Sequence, residues 1–238
     1  MLNNFIKNIR NTQNDTINIE KLNFIEGELI IVKNFLNDTD LITLEKIMIN
    51  ILLGESKTKT VYFHTSTGWH PYFIPHFSQG LSSYAFFNEF ILSKIQKLVP
   101  SEKPLRVKRI YVSFQTAGQH GNWHVDDGEK DTYTFTLYYN IKRSDGIRDN
   151  EKIACKEKYE SIIKSCIIND DKNEYLNKIN NSDNVGYFNI KYSDQKPIFI
   201  RTETNTAVFF DSKMIHNGDC NEYSSTNLRC VIAYKLFK

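Results

Sequence analysis

The sequence predicts a mainly β domain in which helices cover one face of two packed sheets or of a barrel, and three observations carry that prediction. After Pro104 the chain turns to short runs rich in Val, Ile, Tyr, Phe and Thr with period-two alternation, the pattern of half-buried strands. Apolar residues at helical spacing are concentrated before that point. With 238 residues and 40% apolar content, the chain can enclose one full core with elaborations more readily than two.

The N-terminal part supplies the helices. Residues 28–53, ELIIVKNFLNDTDLITLEKIMINILL, read as a strand followed by a helix. Asn37, Asp38 and Thr39 are capping candidates there, because their side-chain oxygens can accept from the open N–H groups of a first turn. A second helix is expected over 82–98, SSYAFFNEFILSKIQKL, and it should end at Val99 because Pro100 disfavours helical geometry in the residue before it. Strands are expected over 106–115, 133–140, 186–192, 198–201, 206–210 and 228–237. Residues 142–184 interrupt them with nine basic and nine acidic residues. Their middle, EKIACKEKYESIIKSCII, has helix-like spacing, so the segment reads either as an inserted helical flap or as a partly disordered surface loop. A single domain over 1–238 is expected, with 1–104 as support and 105–238 as the core.

A net charge of +2 leaves no large surplus of Lys and Arg to neutralise a phosphate backbone, so charge does not argue for nucleic acid, although nucleic acid stays open as a substrate. Residues 1–18 lack the unbroken apolar stretch of a secretory signal, and no run of the ~20 apolar residues that a bilayer span needs follows. A cytoplasmic protein without a membrane segment is the expectation. Cys155, Cys166, Cys220 and Cys230 form no CxxC pair and read as reduced thiols.

The chemistry concentrates in GQHGNWHVDD, residues 118–127. His124 and Asp126 stand two apart, and on an extended chain residues i and i+2 project to one face, where an imidazole nitrogen and a carboxylate oxygen can meet one ion. By itself the pair says little, since it arises by chance roughly a third of the time in a chain of this composition. His216 adds weight: it is the only histidine after His124 and closes an apolar run, TAVFFDSKMI, before what reads as a polar turn, Asn217-Gly218-Asp219. Two histidines and one carboxylate on one face of an octahedron leave three positions open, which suits ferrous iron binding a chelating cosubstrate and dioxygen together. A turn histidine bonded to backbone is the bland reading of His216.

The strand LRCVIAYKLF follows, and an antiparallel return would set Arg229 near His216. A guanidinium fork there can bind the far carboxylate of a dicarboxylate in bidentate fashion. Lys235 shares the strand face but lies six residues, roughly 20 Å, further on and is the poorer anchor. In YTFTLYYN, residues 133–140, one face is Tyr133, Phe135, Leu137 and Tyr139; the other is Thr134, Thr136, Tyr138 and Asn140. If the second face lines the cavity, the Tyr138 hydroxyl can donate to the carboxylate held by Arg229; otherwise Tyr138 is a packed core residue.

The order RIYVSFQTAGQHGNWHVDD, YTFTLYYN, TNTAVFFDSKMIHNGD, LRCVIAYKL resembles the catalytic half of iron(II)/2-oxoglutarate oxygenases, in particular the prolyl 4-hydroxylase-like branch and its short phage and viral relatives. The resemblance runs over residues 106–236 with 142–184 set aside. It implies a double-stranded β-helix, or jelly roll, core flanked by N-terminal helices. It also implies iron held by His124, Asp126 and His216, with Arg229 and Tyr138 on the cosubstrate and Tyr111 at an aromatic position familiar from the viral relatives. The implied cofactors are Fe(II), 2-oxoglutarate and O2, with ascorbate as an accessory reductant, and the implied reaction is C–H hydroxylation yielding succinate and carbon dioxide. A prolyl residue of a protein or peptide is the implied substrate; nucleobase oxidation, small-molecule hydroxylation and a non-catalytic metal-binding module are the competing readings. Where family members carry a Gly-Gly-Glu-Thr-like stretch, this chain has Val185-Gly186-Tyr187-Phe188, so contacts there do not transfer. His64, His70, His76 and His120 are left as structural or substrate-side residues, and Trp69 and Trp123 as core or rim aromatics.

Overall fold

The computed structural model describes residues 17–24, 27–53, 61–65, 73–77, 81, 84–99, 103–115, 121, 123–140, 186–191, 196–219 and 229–238. The expected flap over 142–184, Cys155, Cys166, Cys220, His70, His120 and Trp69 lie outside the described residues.

A hairpin opens the fold, β1 (Asn18–Phe24) pairing antiparallel with β2 (Gly27–Lys33). Helix α1 (Asp38–Leu53) follows. Of the three capping candidates Asn37 is the cap: its Oδ1 accepts from the Asp40 N–H at 2.9 Å, while its carbonyl accepts from Leu41 N–H. Strands β3 (Val61–Thr65) and β4 (Phe73–Phe77), which hydropathy alternation did not reveal, come next and carry His64 and His76. The second helix begins as a π-helical turn (Phe86–Ile91) and continues as α2 (Leu92–Leu98). Its end at Leu98 is where Pro100 was expected to stop it.

The remaining strands are β5 (Arg106–Gln115), β6 (Thr132–Asn140), β7 (Gly186–Lys191), β8 (Ile198–Thr202), β9 (Thr206–Asp211), β10 (Ile215–Asp219) and β11 (Arg229–Phe237). Eight strands form one sheet in the order β1-β2-β9-β6-β11-β5-β4-β3, and three form another in the order β10-β7-β8. All described pairings are antiparallel. Asn217-Gly218-Asp219 is therefore no turn. It continues β10, paired with Phe188 and its neighbours on β7, and the buried Asn217 side chain accepts from Asn189 Nδ2 at 2.9 Å. Sheet pairing overrides the turn tendency of those residue types.

Alternation sorts the larger sheet into two faces. Phe135, Leu137 and Tyr139 of β6, Ile110, Val112 and Phe114 of β5, and Ile232 and Tyr234 of β11 pack with Leu44, Met48, Phe87 and Ile95 of the helical elements. The Tyr234 hydroxyl donates to Phe87 O at 3.0 Å, joining sheet and helix within that layer. The opposite face carries Tyr138, Val208, Phe210 and Val231, which meet Phe188, Ile190 and Ile200 of the smaller sheet. Each fully buried Phe or Leu in these layers contributes about 1.5–3 kcal/mol by leaving water. The helices thus cover the outside, and the space between the sheets is free to hold a site.

Candidate active site

Three neighbouring strands floor that space. β11 pairs with β5 and β6 in register, giving the rows Gln115-Arg229-Asn140, Ser113-Val231-Tyr138, Tyr111-Ala233-Thr136 and Arg109-Lys235-Thr134. All of these except Asn140 line a cavity of about 730 Å³, which His124, Asp126, Phe188 and His216 also line. Of the two arrangements its alternation left open, the polar face of YTFTLYYN turns to the cavity through Thr134, Thr136 and Tyr138.

His124 and His216 meet across an isolated antiparallel bridge, with His124 N–H donating to His216 O at 3.0 Å and His216 N–H to His124 O at 2.9 Å. Asp126 is placed by the turn after β9, where its N–H donates to Ser212 O at 3.0 Å. One donor atom from each of His124, Asp126 and His216 lies within 4.8 Å of the others. The Asp126 carboxylate is 3.5 Å from His124 Nε2 and 3.4 Å from His216 Nε2. Cis ligands ~2.1 Å from a first-row ion are separated by roughly 3 Å, so a small closure suffices for all three to share one.

The surroundings prepare the ligands. The His216 Nδ1–H donates to Met214 O at 2.9 Å, which leaves Nε2 with its lone pair toward Asp126. Burial drives the His216 pKa down to about 4 against the upward pull of Asp126, so the ring is neutral near pH 7. Burial pushes the Asp126 carboxyl up, but His124, His216 and Lys235 outweigh it and hold it well below the usual carboxylate range. Thr134 Oγ1 donates to Asp126 Oδ2 at 2.7 Å and lies 3.1 Å from Ser212 Oγ. Two imidazole nitrogens and an ionised carboxylate, the latter and His216 oriented by outer partners, make a donor set that suits a divalent first-row ion.

Arg229 is buried and lines the same cavity, but not by the expected antiparallel return beside His216. β10 belongs to the smaller sheet and β11 to the larger, so the two residues approach from opposite walls. The guanidinium stacks 4.7 Å from the Tyr138 ring centre and donates to Tyr187 O at 3.5 Å. Tyr111 is on the floor, its hydroxyl raised in pKa by burial and further by the Asp126 charge, so it stays protonated.

Lys235 is where the sequence reading fell short. Its ammonium contacts Asp126 Oδ2 directly and lies 3.4 Å from Thr134 Oγ1. Burial lowers its pKa, with Asp126 opposing. The available signal was the face it shares with Arg229; the distance between them argued against one carboxylate and was silent about another partner. Trp123 and Val125, flanking His124, are exposed, and Lys191 lies over the Trp123 ring at 5.2 Å, which makes Trp123 a rim aromatic.

No protein-family model and no curated protein matches the sequence. Solved structures do resemble the fold. An oxidoreductase of the 2OG-Fe(II) oxygenase family from Burkholderia pseudomallei aligns with TM-score 0.52 at 9% identity over 88% of this chain and 85% of its own. This chain has the fold of the iron(II)/2-oxoglutarate oxygenases. Of that fold also are the non-haem α-ketoglutarate-dependent epimerase SnoN of nogalamycin biosynthesis (TM-score 0.53, 10% identity, 88% of this chain and 76% of that one) and OsALKBH1 (TM-score 0.53, 11% identity, 90% and 99%). The expected double-stranded β-helix is thereby the observed one. No helix among the described residues is long and apolar enough to cross a membrane.

Proposed function

We propose that the protein is an iron(II)- and 2-oxoglutarate-dependent dioxygenase that hydroxylates a C–H bond. The observation that carries this reading is the convergence of His124, Asp126 and His216, from two separate stretches of chain, inside a cavity of the oxygenase fold that Arg229 also lines.

His124 Nε2, His216 Nε2 and one Asp126 oxygen would hold the iron. Bound there with 2-oxoglutarate and dioxygen, iron supplies the oxidising power that inserts one oxygen atom into a C–H bond, with succinate and carbon dioxide as co-products. Arg229 binds the distal carboxylate of the cosubstrate, and its stacking on Tyr138 fixes the plane of the fork before the ligand arrives. Tyr138 donates its hydroxyl to the same carboxylate. Phe188 and Phe210 pack against the His216 ring, at 5.4 and 4.7 Å between centres, and keep water from that side of the ligand. Tyr111, held protonated, can donate a hydrogen bond into the cavity.

As substrate we place first a prolyl residue of a protein or peptide, a reading supported by the resemblance of the four core segments to the prolyl 4-hydroxylase-like branch. The exposed Trp123 and Val125 beside the exposed His124 give the cavity an apolar rim suited to a peptide.

Anaerobic addition of ferrous iron and 2-oxoglutarate should produce a weak visible charge-transfer band, and admission of oxygen should yield succinate. Asp126→Ala should show neither. A +16 Da product in peptides treated with the wild-type protein, absent with the variant, would identify the target; proline-free peptides or oligonucleotides modified instead would overturn the prolyl assignment.

A further inference from the structure

One row of the cavity floor sets two cations side by side. Arg109 and Lys235 are directly opposed on β5 and β11 and both line the cavity. Both lie over the Tyr111 ring, Arg109 at 4.8 Å and Lys235 at 5.7 Å from its centre. Like charges directly opposite on neighbouring strands destabilise a sheet, and more so when one is nearly buried, as Lys235 is at 13% side-chain exposure. A cost of that kind in a binding cavity calls for a negative partner.

The protein's own carboxylates supply only a temporary one. Lys108 engages the neighbouring Asp127 at 2.8 Å. Lys235 contacts Asp126, and among the described residues no carboxylate forms an ion pair with Arg109. Asp126 is the residue that the oxygenase reading assigns to the metal. When it takes a divalent ion, that ion, Asp126, the cosubstrate dianion and Arg229 balance one another in formal charge. The two positive charges of Arg109 and Lys235 are left over, at the opposite end of the floor from Arg229.

We propose that Arg109 and Lys235 form a second anion subsite, and that the substrate carries a carboxylate or phosphate group close to the carbon it presents for oxidation. The inference rests on the oxygenase reading and narrows its substrate to an anionic one. Arg109 offers a planar fork and Lys235 a point charge, a pair that suits an oxyanion with two or three acceptor oxygens. Tyr111, whose ring lies under both and whose hydroxyl is hydrogen-bonded with Arg109, holds the two cations on one row of the floor.

The test uses the full chain loaded anaerobically with ferrous iron and 2-oxoglutarate, the charge-transfer band serving as the record of loading. Acetate and inorganic phosphate are titrated separately at constant ionic strength, followed by calorimetry and by the thermal midpoint. The expected result is saturable binding of one of the two, which tells carboxylate from phosphate. Binding should weaken about tenfold in Arg109→Gln, whose exposed position spares the fold, and at least as much in Lys235→Met, with the band retained in both. A loaded protein that binds neither anion, or binds them equally well after both substitutions, overturns the subsite and leaves the oxygenase reading standing. Absence of the band in the wild-type protein overturns both.

Discussion

His124 and His216, 92 residues apart in sequence, are hydrogen-bonded to each other through both backbone amides, at 3.0 and 2.9 Å, and their rings lie 4.4 Å apart between centres. The two imidazoles are therefore fixed by main chain rather than by packing alone, and the spacing of the donor atoms does not wait for a metal to create it. A substitution that spares the backbone pair should spare the fold while removing the ligand. His216→Gln is expected to abolish iron binding, measured by equilibrium dialysis, while the far-ultraviolet circular dichroism is unchanged; a variant that still retains stoichiometric iron would remove His216 from the ligand set.

Under the proposed function Asp126 would serve two cations. It pairs with Lys235 in the structure, so a metal held there would compete with the ammonium for one carboxylate. Lys235→Met removes the competitor, and metal affinity is expected to rise several-fold in a chelator competition assay, even as the metal-free protein loses stability. Breaking a nearly buried pair by removing one member costs up to about 3 kcal/mol, which denaturant titration would read. An unchanged affinity would mean that Lys235 keeps its hold on Asp126 when the metal is present.

The acid side of the stability curve follows from His216. Its pKa is about 4 in the folded protein and near 6.5 in the unfolded chain, so between these values the unfolded state binds more protons. Stability of the metal-free protein should therefore fall as pH drops from 6.5 towards 4, by up to about 3 kcal/mol from this group. Asp126 acts with the same sign, its folded pKa also lying below the usual value, but its contribution is lost only as pH falls below about 4, outside that window. Denaturant midpoints at pH 7 and pH 5 should differ in the wild-type protein and converge in His216→Gln.

How much of this was legible in sequence depended on whether local pattern or long-range pairing decided the outcome. The core strands β5, β6 and β9 were readable because alternation reports a face packed on helices; in YTFTLYYN it separated the two faces but left open which one meets the cavity, since that depends on where the helices and the second sheet pack. The His-x-Asp spacing was readable because its geometry is local. Asn217-Gly218-Asp219 was misread because pairing with β7 gives those turn-forming residues a strand's hydrogen bonds. Strands β3 and β4 escaped notice because they lie before Pro104, where helical spacing dominates, and because Pro75 inside β4 counts against a strand. The meeting of Lys235 with Asp126 depends on how β11 crosses beneath the His124 segment, which no window of sequence encodes.

Asn205 tests the frame behind the site. It adopts φ 66° between β8 and β9, accepts from Leu36 N–H at 2.8 Å and donates to Leu36 O at 2.7 Å, and its own N–H reaches Tyr138 O at 2.8 Å. Asn205→Ala strands a buried donor and acceptor on Leu36 and places a Cβ-bearing residue without Asn's local compensation in the left-handed region, at a cost of about 2–4 kcal/mol. Asn205→Gly relieves the backbone part alone and should recover only about 1 kcal/mol of that loss. Equal stability of the two variants in urea titration would assign the whole effect to the side-chain bonds.

Arg229→Gln would separate cosubstrate binding from metal binding. Arg229 is buried, stacked on Tyr138 and carried by the larger sheet, whereas His216 is carried by the smaller one, so the substitution should leave iron affinity intact. Loss of a bidentate charge-assisted pair with a carboxylate costs about 1.5–3 kcal/mol, which corresponds to a ten- to hundredfold weaker affinity for 2-oxoglutarate. Glutamine keeps a donor and much of the length, and stays in the cavity without the charge. The charge-transfer band of the variant should therefore need correspondingly more 2-oxoglutarate to reach half its height, and saturate at the wild-type intensity. A band that half-saturates at the wild-type concentration would move the carboxylate anchor elsewhere, and Lys235 would be the first residue to substitute next, since it lies on the same strand face and lines the same cavity.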